Sequence, residues 1–239
     1  MSKFRIISIV VPIYNEEKTL EQIIAAVENA DVFDLEKEMI FVDDGSRDRS
    51  KVILEKYKEK HKILYHEKNR GKGAALRTGF KNATGDIILI QDADLEYDPQ
   101  EYSEILKPIL DGKADAVFSS RFLGHRPHRV LYFWHSLGNR FLTGLSNMLT
   151  NLNLTDMESG YKAFTKEILD QIAPKLRSKR FSIEPELVAR IAKLARQNKC
   201  RVYEVGISYS GRTYAEGKKI GWKDGIEAVS CIIWYNLFR

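Results

Sequence analysis

The chain has 239 residues, 44% hydrophobic and 30% charged, with a formal net charge of +5. That balance excludes a disordered chain, and no run of about 18 apolar residues is present to form a spanning helix. It leaves room for one large domain and points to an anionic partner without naming the anion.

Ile6–Val11 is a continuous apolar run and reads as a buried strand. It is too short, and too soon broken by Pro12, for a secretory leader. Glu16–Ala30 follows as a helix with Leu20, Ile23, Ile24 and Val27 on one face. Met39–Val42 is a second strand, and Asp48–Lys60 a second helix with Val52, Ile53 and Tyr57 inward. Ile63–Tyr65 is a third strand, followed by a helix over Lys72–Asn82. Ile87–Ile90 is a fourth strand, Pro99–Leu110 a helix, and Ala116–Phe118 a further strand. Short apolar runs alternating with helical periodicity predict an α/β fold, a Rossmann-like and mostly parallel sheet flanked by helices.

Beyond Phe122 the pattern weakens. His125–His128 reads as a polar loop, Tyr132–Thr150 as an amphipathic helix and Glu184–Ala195 as another. Arg201–Tyr209 is a late strand, and Ile220–Phe238 a final helical stretch. Tyr132, Phe133 and Trp134 form an apolar cluster, which reads as core rather than as a membrane contact. Cys200 and Cys231 match no metal-ligand or redox spacing, which fits a reduced cytoplasmic setting.

In an open parallel sheet, ligands bind outside the carboxyl ends of the strands. Here those ends carry Pro12-Ile13-Tyr14-Asn15-Glu16, Asp43-Asp44-Gly45-Ser46, Asn69-Arg70-Gly71-Lys72-Gly73 and Gln91-Asp92-Ala93-Asp94. Asp92 and Asp94 point to one face if the strand geometry persists. Their hard oxygens suit Mg²⁺ or Mn²⁺ bridging a diphosphate, although Asp-x-Asp alone is equally turn and cap chemistry. Lys72, between glycines before a helix start, suits an anion; the spacing matches neither a Walker A loop nor a dinucleotide fingerprint. Paired acidic strand ends also occur in Mg²⁺-binding receiver domains, which leave half of this chain unexplained. A nucleic-acid module accounts for the charge but not for the acidic strand ends, and no basic-aromatic recognition motif is present.

Taken together, these four motifs resemble the inverting family 2 glycosyltransferases of the GT-A fold. Ser120-Arg121-Phe122, Asp156–Lys162, Phe181–Glu186, Gly211-Arg212-Thr213 and Gly217-Lys218-Lys219 are similar to the polyprenyl-phosphate hexosyltransferases, the dolichyl-phosphate mannose and glucose synthase branch. The resemblance implies one GT-A domain over 1–239, with a nucleotide-sugar half (1–120) and an acceptor half (121–239). It implies that Pro12, Tyr14 and Glu16, with Asp43 or Asp44 or both, hold base and ribose, and that Asp92, Asp94 and Glu96 hold the metal. Arg121, Arg212 and Lys218, with Arg140 as a further candidate, then serve the donor diphosphate and acceptor phosphate.

The implied reaction passes a hexose from a UDP- or GDP-sugar to a polyprenyl phosphate. Such an acceptor has its second pKa near ~6 and is already an anionic nucleophile, so no general base is needed. Asp156 and Glu158 are then supporting residues; a sugar-hydroxyl acceptor makes one of them a candidate base. The acceptor lives in a bilayer, which implies a peripheral protein on the cytoplasmic face. Trp222, Ile226, Val229 and Ile233 recur at helical spacing with Lys218, Lys219, Lys223 and Arg239 around them. That pattern reads as an interfacial helix, or as a terminal helix packed on the core or a partner subunit.

Overall fold

The computed structural model describes residues 3–124, 129–130, 132–212 and 222–238. In chain order the elements are β1 (Ile6–Ile13), α1 (Leu20–Asn29), β2 (Glu36–Asp43), α2 (Ser50–Glu55), β3 (Lys62–Tyr65), α3 (Lys72–Asn82), β4 (Ile87–Ile90), α4 (Tyr102–Leu110) and β5 (Ala116–Ser120). Then come α5 (Phe133–Thr150), β6 (Lys162–Thr165), α6 (Lys166–Ile172), α7 (Ile183–Arg196), β7 (Val202–Gly206) and α8 (Trp222–Leu237).

The strands form one seven-stranded sheet in the order β3-β2-β1-β4-β6-β5-β7. All neighbouring pairs are parallel except those of β6, which runs antiparallel to both β4 and β5. The expected mostly parallel, helix-flanked sheet is therefore present. Sequence reading missed β6, because four residues opening on a lysine carry no strand periodicity; its Lys162 is fully buried.

Both faces of the sheet are covered, which is why its strands are apolar throughout rather than alternating. In β1, Ile7, Ile9, Val11 and Ile13 enter the core under α1 and α4, while Val10 enters the core under α3 and α7. β4 divides the same way, Ile87 and Leu89 against Ile88 and Ile90. This is the period-2 pleat read out as two cores. Each fully buried aliphatic side chain contributes about 1.5–3 kcal/mol.

Two details depart from expectation. Val52 is 58% exposed, so α2 turns Leu54 inward instead, with Ile53 and Tyr57 packed at the core's margin. Tyr132, Phe133 and Trp134 are not core: they are 59%, 69% and 75% exposed. They begin the outer face of α5, which continues through Phe141 and Met148. α5 packs on α8, whose inner face buries Ile232, Cys231 and Tyr235 while Ile226, Ile233, Trp234, Leu237 and Phe238 stay exposed. The terminal helix thus has one packed face and one free apolar face. Among the described residues no helix is long and apolar enough to cross a membrane.

Candidate active site

Strand ends β1, β2 and β4 and the segment after β7 meet at one edge of the sheet. β4 stops at Ile90, and a turn replaces the expected continuation of the strand, with Leu95 in the left-handed region at φ 59°. Buried Gln91 anchors that turn. Its Oε1 accepts from Tyr102 and Tyr161 hydroxyls, both at 2.6 Å, and its Nε2 donates to the Asp92 carbonyl at 2.8 Å.

The turn and the late segment are zipped together. Ser208 donates its amide and hydroxyl to Glu101, the Ser210 amide donates to the Glu96 carbonyl, and the Arg212 amide donates to Glu96 Oε1 at 2.8 Å. This places the Arg212 guanidinium among three carboxylates: Glu16 at 3.1 Å, Asp94 at 3.1 Å and Glu96 at 3.4 Å. Tyr209 donates its hydroxyl to Glu96 at 2.7 Å. Burial, then the neighbouring charges of Asp92 and Glu96, push the Asp94 carboxyl up to about 7 against the opposing pull of Arg212.

Asp92 faces a second cation. Lys72 Nζ lies 2.7 Å from Asp92 Oδ1 and 3.0 Å from Glu184 Oε1. Burial works against the lysine's charge, yet the two carboxylates hold its pKa above the ordinary lysine value. Glu184 in turn pairs with buried Lys162. Glu184, at the start of α7, is a site residue that sequence reasoning gave no role; its partners come from α3 and β6, and no local spacing signals that meeting. Gly160 is another. A Cβ there would fall 2.1 Å from Asp92 Oδ2, so only glycine lets the 156–161 turn pass the carboxylate.

The two aspartates after β2 do different work. Asp44 is buried and fully engaged: Oδ1 meets His66 Nδ1 at 2.6 Å and the Arg70 amide at 2.9 Å, and Oδ2 accepts from the Gly71 amide at 2.7 Å. It holds the loop that delivers Lys72. Asp43 is equally buried, but its Oδ1 has no hydrogen-bond partner. Pro12 lies on β1 in register with Val42, and Tyr14 sits half-buried just beyond the strand end.

Arg121, after β5, is locked to Asp156 through Nε at 2.6 Å and Nη2 at 2.8 Å, and lies 5.0 Å over the Tyr209 ring. Burial raises the Asp156 pKa, but Arg121 outweighs it and holds the carboxyl below its usual range. Glu158 is the contrast. Burial and then Glu184 push its carboxyl up to about 7 despite Lys162 and Arg121, and its Oε1 has no partner. Arg140 lies exposed on α5, and Lys218 lies outside the described residues, as do Lys219 and His125–His128.

The donor set suits a hard divalent cation: Glu16, Asp92, Asp94 and Glu96 offer oxygen only, and Asp94 is raised by burial and then by its carboxylate neighbours. Among the described residues no three His, Cys, Asp or Glu side chains already converge as a metal cage. Mg²⁺ and its like need none, since substrate phosphates and water complete the shell.

Known proteins resemble this chain in sequence and in fold. The sequence model of glycosyl transferase family 2 matches residues 8–173. The chain is 28% identical to the UDP-N-acetylglucosamine–dolichyl-phosphate N-acetylglucosaminyltransferase of Methanococcus voltae, over 90% of this chain and 91% of that one. It is 27% identical to the dolichol-phosphate mannosyltransferase of Pyrococcus furiosus, over 90% of this chain and 59% of that one. Among solved structures, glucosyl-3-phosphoglycerate synthase from Mycobacterium tuberculosis, in complex with Mn²⁺, UDP-glucose and phosphoglyceric acid, superposes with a TM-score of 0.73 at 20% identity. The match covers 97% of this chain and 79% of that one. That likeness is one of fold, and the fold is GT-A. With the family match running from β1 through the acidic turn to β6, the chain belongs to glycosyl transferase family 2 and is a glycosyltransferase.

Proposed function

We propose that the enzyme moves a hexose from a UDP- or GDP-sugar to a polyprenyl phosphate, with inversion at the anomeric carbon, at the cytoplasmic surface of a membrane. The carrying observation is Arg212, a phosphate-competent guanidinium from the second half, seated among the carboxylates of the first. The dolichyl-phosphate acceptors named for the two relatives support the same reading. We take residues 1–239 as one GT-A domain, 1–120 holding the nucleotide sugar and 121–239 the acceptor; insertion of β6 between β4 and β5 supports one unit.

Asp43, with its free oxygen, binds the ribose, while Pro12 and Tyr14 border the base and Asp44 supports the loop. Asp92, Asp94 and Glu96 are the residues that hold Mg²⁺ or Mn²⁺. A divalent cation there supplies neutralisation of charge on the departing diphosphate. Arg212 exchanges its carboxylates for phosphate oxygens when donor and acceptor enter, and Arg121, Lys218 and the peripheral Arg140 add positive charge on the acceptor side. The acceptor phosphate oxygen attacks the anomeric carbon as the bond to the diphosphate breaks, and no proton has to be removed.

A donor panel of UDP-glucose, UDP-N-acetylglucosamine, UDP-galactose and GDP-mannose against a short polyprenyl phosphate tests this. An acid-labile lipid-phosphate sugar is expected; a product stable to mild acid overturns it. One observation favours a second reading, transfer to a sugar hydroxyl: Glu158 has a buried, unpartnered oxygen and a carboxyl pushed up to about 7, as a general base requires.

A further inference from the structure

Behind the loop that carries Lys72, a groove of about 920 Å³ opens between the α3 start, the 177–182 segment and α8. None of Glu16, Asp92, Asp94, Glu96 and Arg212 lines it. Its walls carry Lys68, Arg70, Arg77, Arg177, Lys179 and Arg180, against one carboxylate, Glu227, which accepts from the Ser182 hydroxyl. The groove alone therefore holds a charge excess equal to the +5 of the whole chain. Arg77 is held by the Ser178 carbonyl at 2.9 Å. The other five cations are exposed, and no ion pair neutralises them among the described residues. The loop's two sides are used separately: the Arg70 and Gly71 amides face Asp44, while the Lys68 and Arg70 side chains line the groove.

The far wall is aromatic. Trp234 and Tyr235 of α8 line the same groove, and the Trp234 ring meets the tilted Phe238 ring at 5.5 Å. Trp234 is one of the exposed apolar residues of α8, which packs on α5, itself exposing Phe133, Trp134, Phe141 and Met148. Unpaired cations on one side of an amphipathic aromatic seam, and exposed Phe, Leu and Ile on the other, are the composition of a bilayer interface.

We propose that this groove seats the headgroups of anionic phospholipids, with the α5–α8 face entering the acyl boundary beside it. The inference rests on the membrane placement proposed above, but not on which sugar is transferred. Electrostatic attraction gives preference for anionic lipid, and apolar burial gives retention.

The test is flotation of the full chain with vesicles of phosphatidylcholine alone, and with about a third phosphatidylglycerol. Wild type is expected to prefer the anionic vesicles, and to lose that preference as salt screens the groove. Arg177→Gln, Lys179→Gln and Arg180→Gln together should lower partitioning to anionic vesicles roughly a hundredfold, at about fivefold per cation. Partitioning to neutral vesicles should hold. Turnover of a water-soluble short-chain polyprenyl phosphate by the triple variant should stay within about twofold. Should the triple variant fold poorly, Lys179→Gln alone and the salt titration of wild type carry the same decision. Equal binding of wild type to both vesicles, or unchanged anionic binding by the variants, overturns the proposal. Loss of soluble turnover in the triple variant also overturns it, since the groove would then belong to the catalytic site. Absent hexose transfer by wild type, with the lipid preference intact, sinks the functional reading and leaves this one standing.

Discussion

Substitution of Gly160 by alanine isolates the aspartate pair from the stability of the fold. The added Cβ would sit 2.1 Å from Asp92 Oδ2 and 3.1 Å from Tyr97 Cε2, where ordinary contact begins at 3.4 Å. More than an ångström must be recovered. The stacked Tyr97 and Tyr161 rings, 4.7 Å apart, resist moving. Asp92 is the softer partner, though Lys72 holds both of its oxygens at 2.7 and 3.0 Å. The carboxylate swings away, weakening the lysine contact and displacing a ligand by about 1 Å, which costs on the order of 100-fold in rate. Gly144→Ala is the matched control. It lies within α5 with nothing within 4 Å of the added methyl, and gains up to ~1 kcal/mol of helix propensity. The assay is donor turnover as Mn²⁺ is titrated, with melting followed in parallel. Gly160→Ala should show a raised Mn²⁺ requirement and lowered kcat/KM in a folded protein, and Gly144→Ala neither. Wild-type kcat/KM and metal response in Gly160→Ala would refute the placement of Asp92 in the metal site.

Asp43→Asn and Asp44→Ala should separate binding from structure. Asp44→Ala strands the Arg70 and Gly71 amides and should cost about 3–5 kcal/mol in denaturant unfolding, at ~1–3 per lost partner. Asp43→Asn should leave melting nearly unchanged and raise donor KM roughly tenfold; equal destabilisation by both defeats the distinction. Asp94 has a folded pKa of about 7, above its unfolded value, so its contribution to stability is lost as pH rises from the carboxylate range through 7. Asp94→Asn should therefore melt higher than metal-free wild type at pH ~8 while losing metal-dependent turnover; a lower melting temperature contradicts the assigned crowding. Glu158→Gln separates the two acceptor readings. Transfer to phosphate should fall less than about tenfold, whereas a hydroxyl acceptor predicts a loss of about 100- to 10,000-fold.

The first half of the fold was legible because its determinants are local. Ile87–Ile90 and Lys72–Asn82 appear at the boundaries their periodicity implies, and the acidic ends follow their strands directly. Where the determinants are distant, the sequence is silent. Lys162 looks like a surface residue and is buried, because Glu184 arrives from 22 positions away to pair with it. Phe133 and Trp134 look like core and are exposed, because hydrophobicity alone does not say whether an apolar face is covered by the rest of the chain. The roles of Asp43 and Asp44 could not be separated by type or position; only the amides around Asp44 distinguish them.

Charge at the site is what ties the legible residues to the rest. Among the described residues Lys72 contacts Asp92, and Arg212 contacts Glu16, Asp94 and Glu96. Lys72 also touches Glu184, but Lys162 answers that carboxylate. Glu16, Asp94 and Glu96 thus share one guanidinium. Burial first, and then the charges of Asp92 and Glu96, raise Asp94 to about 7. A divalent cation held by these carboxylates would free the guanidinium for phosphate. On this account Arg212→Lys, which keeps the charge but loses the three-way fork, should retain metal binding and lose transfer, while Arg212→Ala, which removes the cation competing for these carboxylates, should bind metal at least as tightly and lose transfer. A variant pair in which lysine restores transfer fully would show that Arg212 acts as a point charge, and that its geometry among the three carboxylates is incidental.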